Sequence, residues 1–94
     1  MFTEMMMSVG GKRVEGDFNV INGSVSVTVN GLTNIELVMA YNPSALNAAS
    51  SASKYNGNFI ATNVNGYGIT NINENTFTIN WTTTGAWKYI AYGN

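Results

Sequence analysis

Two carboxylates placed two residues apart are the first groups in this chain that a reaction would use. Glu15 and Asp17 share one face of an extended segment, about 7 Å apart, near the separation at which an acid pair cleaves a glycosidic bond. Lys12 and Arg13 lie close enough to neutralise them, so the pattern reads as a solvated strand face. Ser51-Ala-Ser-Lys54 spells the S-x-x-K string of serine acyl-enzymes. That mechanism needs the string on a helix and further Ser/Lys elements, which the sequence does not supply. Asn71, Asn73 and Asn75 around Glu74 gather oxygens as a calcium loop does, but one carboxylate is too few for a hard cation. Cys and His are absent, which removes thiolate catalysis, zinc sites and histidine acid–base chemistry together. The residues predict no catalytic set, no metal and no cofactor.

What remains are side chains suited to binding. Tyr41, Tyr55, Tyr67, Tyr92 and Trp87 are the candidates for stacking on a sugar ring, although aromatics at alternating strand positions more often fill a core. Phe2, Met5, Met6 and Met7 form an apolar arm ahead of the strands, and flexible Met side chains adapt to irregular surfaces. Such an arm either covers its own sheet as an extra edge strand or docks on a neighbouring subunit or partner. Asn22-Gly-Ser24 and Asn80-Trp-Thr82 fit the N-glycosylation triplet. With no signal peptide ahead of them, both read as ordinary turn and strand residues.

The elements that must position these groups fit one domain of 94 residues. A chain of this size hides only about 60–65% of its unfolded surface, and no disulfide helps it. Four basic and five acidic side chains, for a net charge of −1, are too few and too balanced for a phosphate-binding surface, so nucleic acid is not an expected partner. Solubility rests on neutral polar groups, Asn above all. So little charge suits a domain that associates with a partner or works outside the crowded cytosol. No apolar run approaches the roughly 20 residues that span a bilayer, so no membrane partner is expected.

The periodicity is that of strands. Residues 1–13 read as an arm, punctuated by Gly10-Gly11, and residues 14–94 as a single β-sandwich domain. Val14, Gly16, Phe18 and Val20 alternate with Glu15, Asp17, Asn19 and Ile21; Val25, Val27 and Val29 alternate with Ser24, Ser26 and Thr28. Asn22-Gly23 fits a two-residue type I′ hairpin turn, and Asn30-Gly31 repeats that chemistry. Ile35, Leu37, Met39 and Tyr41 make a row opposed by Glu36, Val38 and Ala40. Both faces are largely apolar, which predicts a strand inside a sheet or between layers. Pro43 ends it. Residues 42–54 alone lack strand character and predict a loop with at most one helical turn, capped by Ser44. Asn56-Gly57 opens the second half, Phe59 and Ala61 alternate with Ile60 and Thr62, and Asn65-Gly66 turns the chain into Tyr67 and Ile69. Phe77, Ile79 and Trp81, then a Thr83-Thr84-Gly85 turn, then Trp87, Tyr89 and Ala91 predict a C-terminal hairpin on which the other strands pack. The expected fold is all-β: a small antiparallel β-sandwich or barrel of about seven short strands with Asn-Gly hairpin turns.

Gly16-Asp17-Phe18-Asn19-Val20, the Val-alternating strand after it, Asn30-Gly31-Leu32 and Ile35-Glu36-Leu37-Val38 together resemble small structural proteins of tailed bacteriophages. The ending Trp87-Lys88-Tyr89-Ile90-Ala91-Tyr92-Gly93 is similar to the aromatic-Tyr-Ile-Ala-x-Gly close of phage virion β domains. The likeness covers most of residues 14–93, and its motifs are loose. It implies a β-sandwich on the surface of a capsid, made in the host cytoplasm, often trimeric and without enzymatic activity. The reading is a capsid decoration (cement) protein whose partner is the major capsid protein or another virion protein. Its docking arm would be Phe2, Met5, Met6 and Met7, with the 42–54 loop as a secondary contact; Tyr41, Tyr55 and Tyr67 are the surface contacts that a receptor-binding domain would present to a host glycan. A tail-associated or receptor-binding virion domain and a free-standing carbohydrate-binding module are the alternatives.

Overall fold

A computed structural model describes residues 11–21, 23–45, 48–54, 60–61, 67–82 and 84–94, which build an all-β sandwich of two antiparallel sheets. The strands are β1 (Lys12–Val20), β2 (Ser24–Thr28), β3 (Ile35–Tyr41), β4 (Ala49–Ser53), β5 (Ile60–Ala61), β6 (Gly68–Asn73), β7 (Thr76–Asn80) and β8 (Gly85–Gly93). Seven of these have five residues or more. Five strands form one sheet in the order β1-β8-β3-β4-β5, and three form the other in the order β2-β7-β6. Lys12 and Arg13, assigned to the arm from sequence, are the first two residues of β1.

Alternation decides what each strand buries. Val20 from β1, Val27 from β2, Phe77 and Ile79 from β7, and Trp87, Tyr89 and Ala91 from β8 point into the space between the sheets. Their neighbours one residue away face water, as period-two side-chain geometry requires. Trp87 and Phe77 are the largest fully buried side chains. The rings interlock: Phe77 meets Phe18 and Tyr89 edge-on, with centroids 5.7 and 5.6 Å apart, and Trp81 meets Trp87 at 5.2 Å. Edge-to-face pairs of this kind add about 0.5–1.5 kcal/mol beyond the area they bury.

The connections depart from the sequence reading. β7 and β8 are not a hairpin: β7 pairs with β2 and β6, while β8 lies between β1 and β3. β7 and β8 thus lie in different sheets, so the aromatic-rich stretch fills the core from both layers. β1 and β2 also belong to different sheets, so these two strands do not pair as a hairpin. Asn30-Gly31 makes a tight turn in which Leu32 N–H donates to the Val29 carbonyl at 3.4 Å. Only Gly31 of the two central residues has positive φ, at 105°, whereas a type I′ turn needs it at both. That turn leads from β2 into β3 of the other sheet. Asn56-Gly57 and Asn65-Gly66 lie outside the described residues.

Two tight reversals close the fold. β6 and β7 form a hairpin through Glu74-Asn75, with Asn73 opposite Thr76. Glu74 takes a φ of 53°, a left-handed conformation that costs a non-glycine residue about 1–2 kcal/mol. The carbonyls of both turn residues are used: Glu74 accepts from Ile35 N–H at 2.7 Å and Asn75 from Val29 N–H at 2.8 Å. β3 and β4 are joined through residues 42–48, where Ser44 N–H donates to Asn42 Oδ1 at 2.8 Å and Asn42 N–H to the Ala48 carbonyl at 2.9 Å.

The second half of the expected 42–54 loop is instead strand β4, paired with β3 from Leu37↔Ser53 to Tyr41↔Ala49. Ala and Ser are poor strand formers. Here they are held by that pairing and by close approach to the other sheet, across which the Ser50 hydroxyl accepts the buried Ile69 N–H at 3.0 Å.

Candidate docking face

The outward side of the five-stranded sheet brings together Arg13, Glu15, Asp17, Tyr41, Ser51 and Tyr92 of the residues singled out above. On β3 a bulge-like irregularity shifts the register against β8 between Ile35 and Leu37. An inserted residue changes which side of the sheet the rest of a strand faces. Ile35 therefore turns inward with Val38 and Ala40, while Leu37, Met39 and Tyr41 turn outward. The four side chains of the sequence-derived row do not share a face.

Register then sets the outward side chains in rows across β1, β8, β3 and β4. Arg13, Tyr92, Leu37 and Ser53 make the first, and Glu15, Ile90, Met39 and Ser51 the second. Asp17, Lys88, Tyr41 and Ala49 make the third. The β8 and β3 columns are thus largely apolar, the β1 column is charged and the β4 column is small and polar. Met39 is 47% exposed at the centre of this face and is, with Ile21, a large exposed hydrophobic residue among those described.

Charges on the β1 side are paired locally. Arg13 binds the Glu15 carboxylate and donates from Nε to the Tyr92 hydroxyl at 3.2 Å. Lys88 Nζ donates to Asp17 Oδ1 at 2.8 Å. Hydrogen bonds to Tyr92 and then Glu15 raise the Arg13 pKa, and the bond to Asp17 raises that of Lys88. All four side chains are exposed, so these pairs hold positions more than they add stability. Glu15 and Asp17 are each engaged with a cation, as a solvated strand face requires.

The opposite outer face differs in kind. On the three-stranded sheet the outward residues include Ser24, Ser26, Thr28, Thr76, Thr78 and Asn80, in register across β2 and β7. Ser26 and Thr78 hydroxyls meet at 3.1 Å, and Thr28 and Thr76 at 3.4 Å. Among the described residues of β2 and β7 that side is uncharged and hydroxyl-rich, already partly satisfied within itself.

The remaining candidates separate. Tyr41 and Tyr92 are on the docking face, Tyr67 packs beside Trp81 at 6.3 Å ahead of β6, and Trp87 is buried, so the five aromatics do not form one stacking platform. Tyr55, Phe2, Met5, Met6 and Met7 lie outside the described residues. Ser51 and Lys54 sit on or just beyond strand β4, not on the helix that an S-x-x-K nucleophile needs. Among the described residues no group of three carboxylates is placed to hold a metal ion. Sequence reasoning missed Leu37, Met39 and Ile90, because bulge and register are set by pairing with distant strands. No protein-family model, curated protein or solved structure matches the chain.

Proposed function

We propose that this protein is a non-enzymatic virion component of a tailed phage, a capsid decoration protein that docks through the outer face of its five-stranded sheet. The supporting observation is the contrast between its two outer faces: one apolar at the centre with Met39 exposed, the other wholly Ser, Thr and Asn among the residues named. An apolar centre rimmed by polar and charged groups is the anatomy of a protein–protein interface. Its bacteriophage setting rests on the sequence resemblance.

Size sets a second requirement. Four strands by about seven residues cover roughly 20 Å by 20 Å, on the order of 400 Å² per partner. A standard interface buries about 800 Å² on each side. The face alone therefore binds weakly, and occupancy relies on further contact from Phe2, Met5, Met6 and Met7 and on many copies engaging together. Co-sedimentation of the purified chain with empty phage heads tests the reading, with saturable binding expected. Met39→Lys and deletion of residues 1–9 should each weaken it at least tenfold. Association with tails instead would make the chain a tail-associated domain, and no association with either would end the proposal.

A further inference from the structure

A second binding property is carried by the end of the same face that the apolar centre does not use. Asp17, Lys88 and Tyr41 stand in one row across β1, β8 and β3, fixed by the 2.8 Å bond between Lys88 and Asp17. The surface dips on each side of this row. One cleft, of about 170 Å³, runs between Glu15, Asp17, Lys88 and Tyr41. The other, of about 280 Å³, runs between Asp17, Asn19, Pro43, Ala86 and Lys88. Ala86 contributes little side-chain bulk beside its taller neighbours, which helps to open the larger hollow.

Each hollow is smaller than the roughly 300–1,000 Å³ of a drug-sized pocket, so neither takes a large ligand alone. Both share Asp17 and Lys88, so a molecule of two linked rings reaches across the ion pair. Carboxylate and Asn oxygens accept hydrogen bonds, the Lys88 ammonium and Asn19 amide donate them, and the Tyr41 ring offers an apolar face with a polar tip. The cations and carboxylates balance, Arg13 with Glu15 and Lys88 with Asp17, which disfavours an ionic ligand. We propose that these paired clefts bind a neutral disaccharide unit of a glycan, one ring on each side of the Asp17–Lys88 bridge. This stands independently of docking on a shell.

Saturation-transfer NMR on the intact chain tests it, with lactose, maltose, cellobiose and chitobiose as probes at millimolar concentration. At least one should receive saturation on its ring protons. Tyr41→Ala and Asp17→Ala should each weaken that binding at least fivefold with the far-UV circular dichroism unchanged. Thr78→Ala, on the opposite outer face, should leave it as it is. Absence of transfer to all four sugars would overturn the assignment, as would binding that survives both variants. The docking-face substitution Met39→Lys separates the two properties, because it should weaken head binding at least tenfold and spare the sugar.

Discussion

At Gly16 the space a side chain would use is already taken. A Cβ built there would lie 2.5–2.6 Å from the ring and hydroxyl of Tyr89, its direct partner across β1 and β8. Gly93 is tighter still, because its Cβ would fall within the van der Waals shell of the Asn34 backbone carbonyl. Gly16→Ala should therefore lower stability by about 1–3 kcal/mol, the usual cost of overpacking. Gly93→Ala should cost more, since backbone yields less readily than a ring; urea midpoints measure both. Tyr89 itself carries a pH dependence. Burial first, and the nearby Asp17 charge second, raise its pKa above the ordinary value of 10.0. The fold thus favours the neutral phenol. Its contribution to stability is complete below pH 10 and is lost as pH rises through the higher folded-state value. Urea midpoints should fall as the pH rises above about 10, and Tyr89→Phe should lessen the fall. None of these constraints could be read from the chain, because Gly16 and Tyr89 meet only once β1 has found β8.

The strands themselves were legible, and their partners were not. Alternation at Val25, Val27 and Val29, or at Trp87, Tyr89 and Ala91, follows from the pleat and needs no knowledge of neighbours. Pairing is a non-local choice, so turn-like residues at Asn22-Gly23 and Thr83-Thr84-Gly85 gave local hairpins where the chain changes sheet. The Ala/Ser run of β4 escaped notice because its stability comes from β3 and from Ser50 reaching across the sandwich. Ser50→Ala should remove the hydroxyl that accepts from the buried Ile69 N–H and cost about 0.5–1.5 kcal/mol, the usual net worth of a hydrogen bond. In the β6–β7 turn the opposite sign is expected. Glu74→Gly should raise stability by up to about 1 kcal/mol, because the left-handed φ of 53° is easy for glycine. A thermal melt should show that gain, and an unchanged or lower midpoint would mean that the Glu74 side chain contributes more than the conformation costs.

Taken whole, the molecule is two sheets with outer surfaces of unlike chemistry, a difference the sequence contains but does not reveal. Leu37, Met39 and Tyr41 could be placed on one strand from their spacing; the bulge that turns them outward, and the register that sets Ile90 and Tyr92 beside them, belong to the tertiary fold. Met39→Lys should change stability by no more than about 0.5 kcal/mol, as expected of an exposed position, while weakening partner binding. A melt compared with a sedimentation assay distinguishes this from simple unfolding.

The position of β8, sandwiched between β1 and β3, governs when such a molecule can exist during synthesis. A nascent chain stopped before residue 85 has made β1 and β3 but not the strand that joins them, so their edges have no bridge. It also lacks Trp87 and Tyr89 from the interior and Lys88, Ile90 and Tyr92 from the outer surface. Prematurely terminated products should therefore be open to proteolysis, and only chains that have completed the bridging strand should persist.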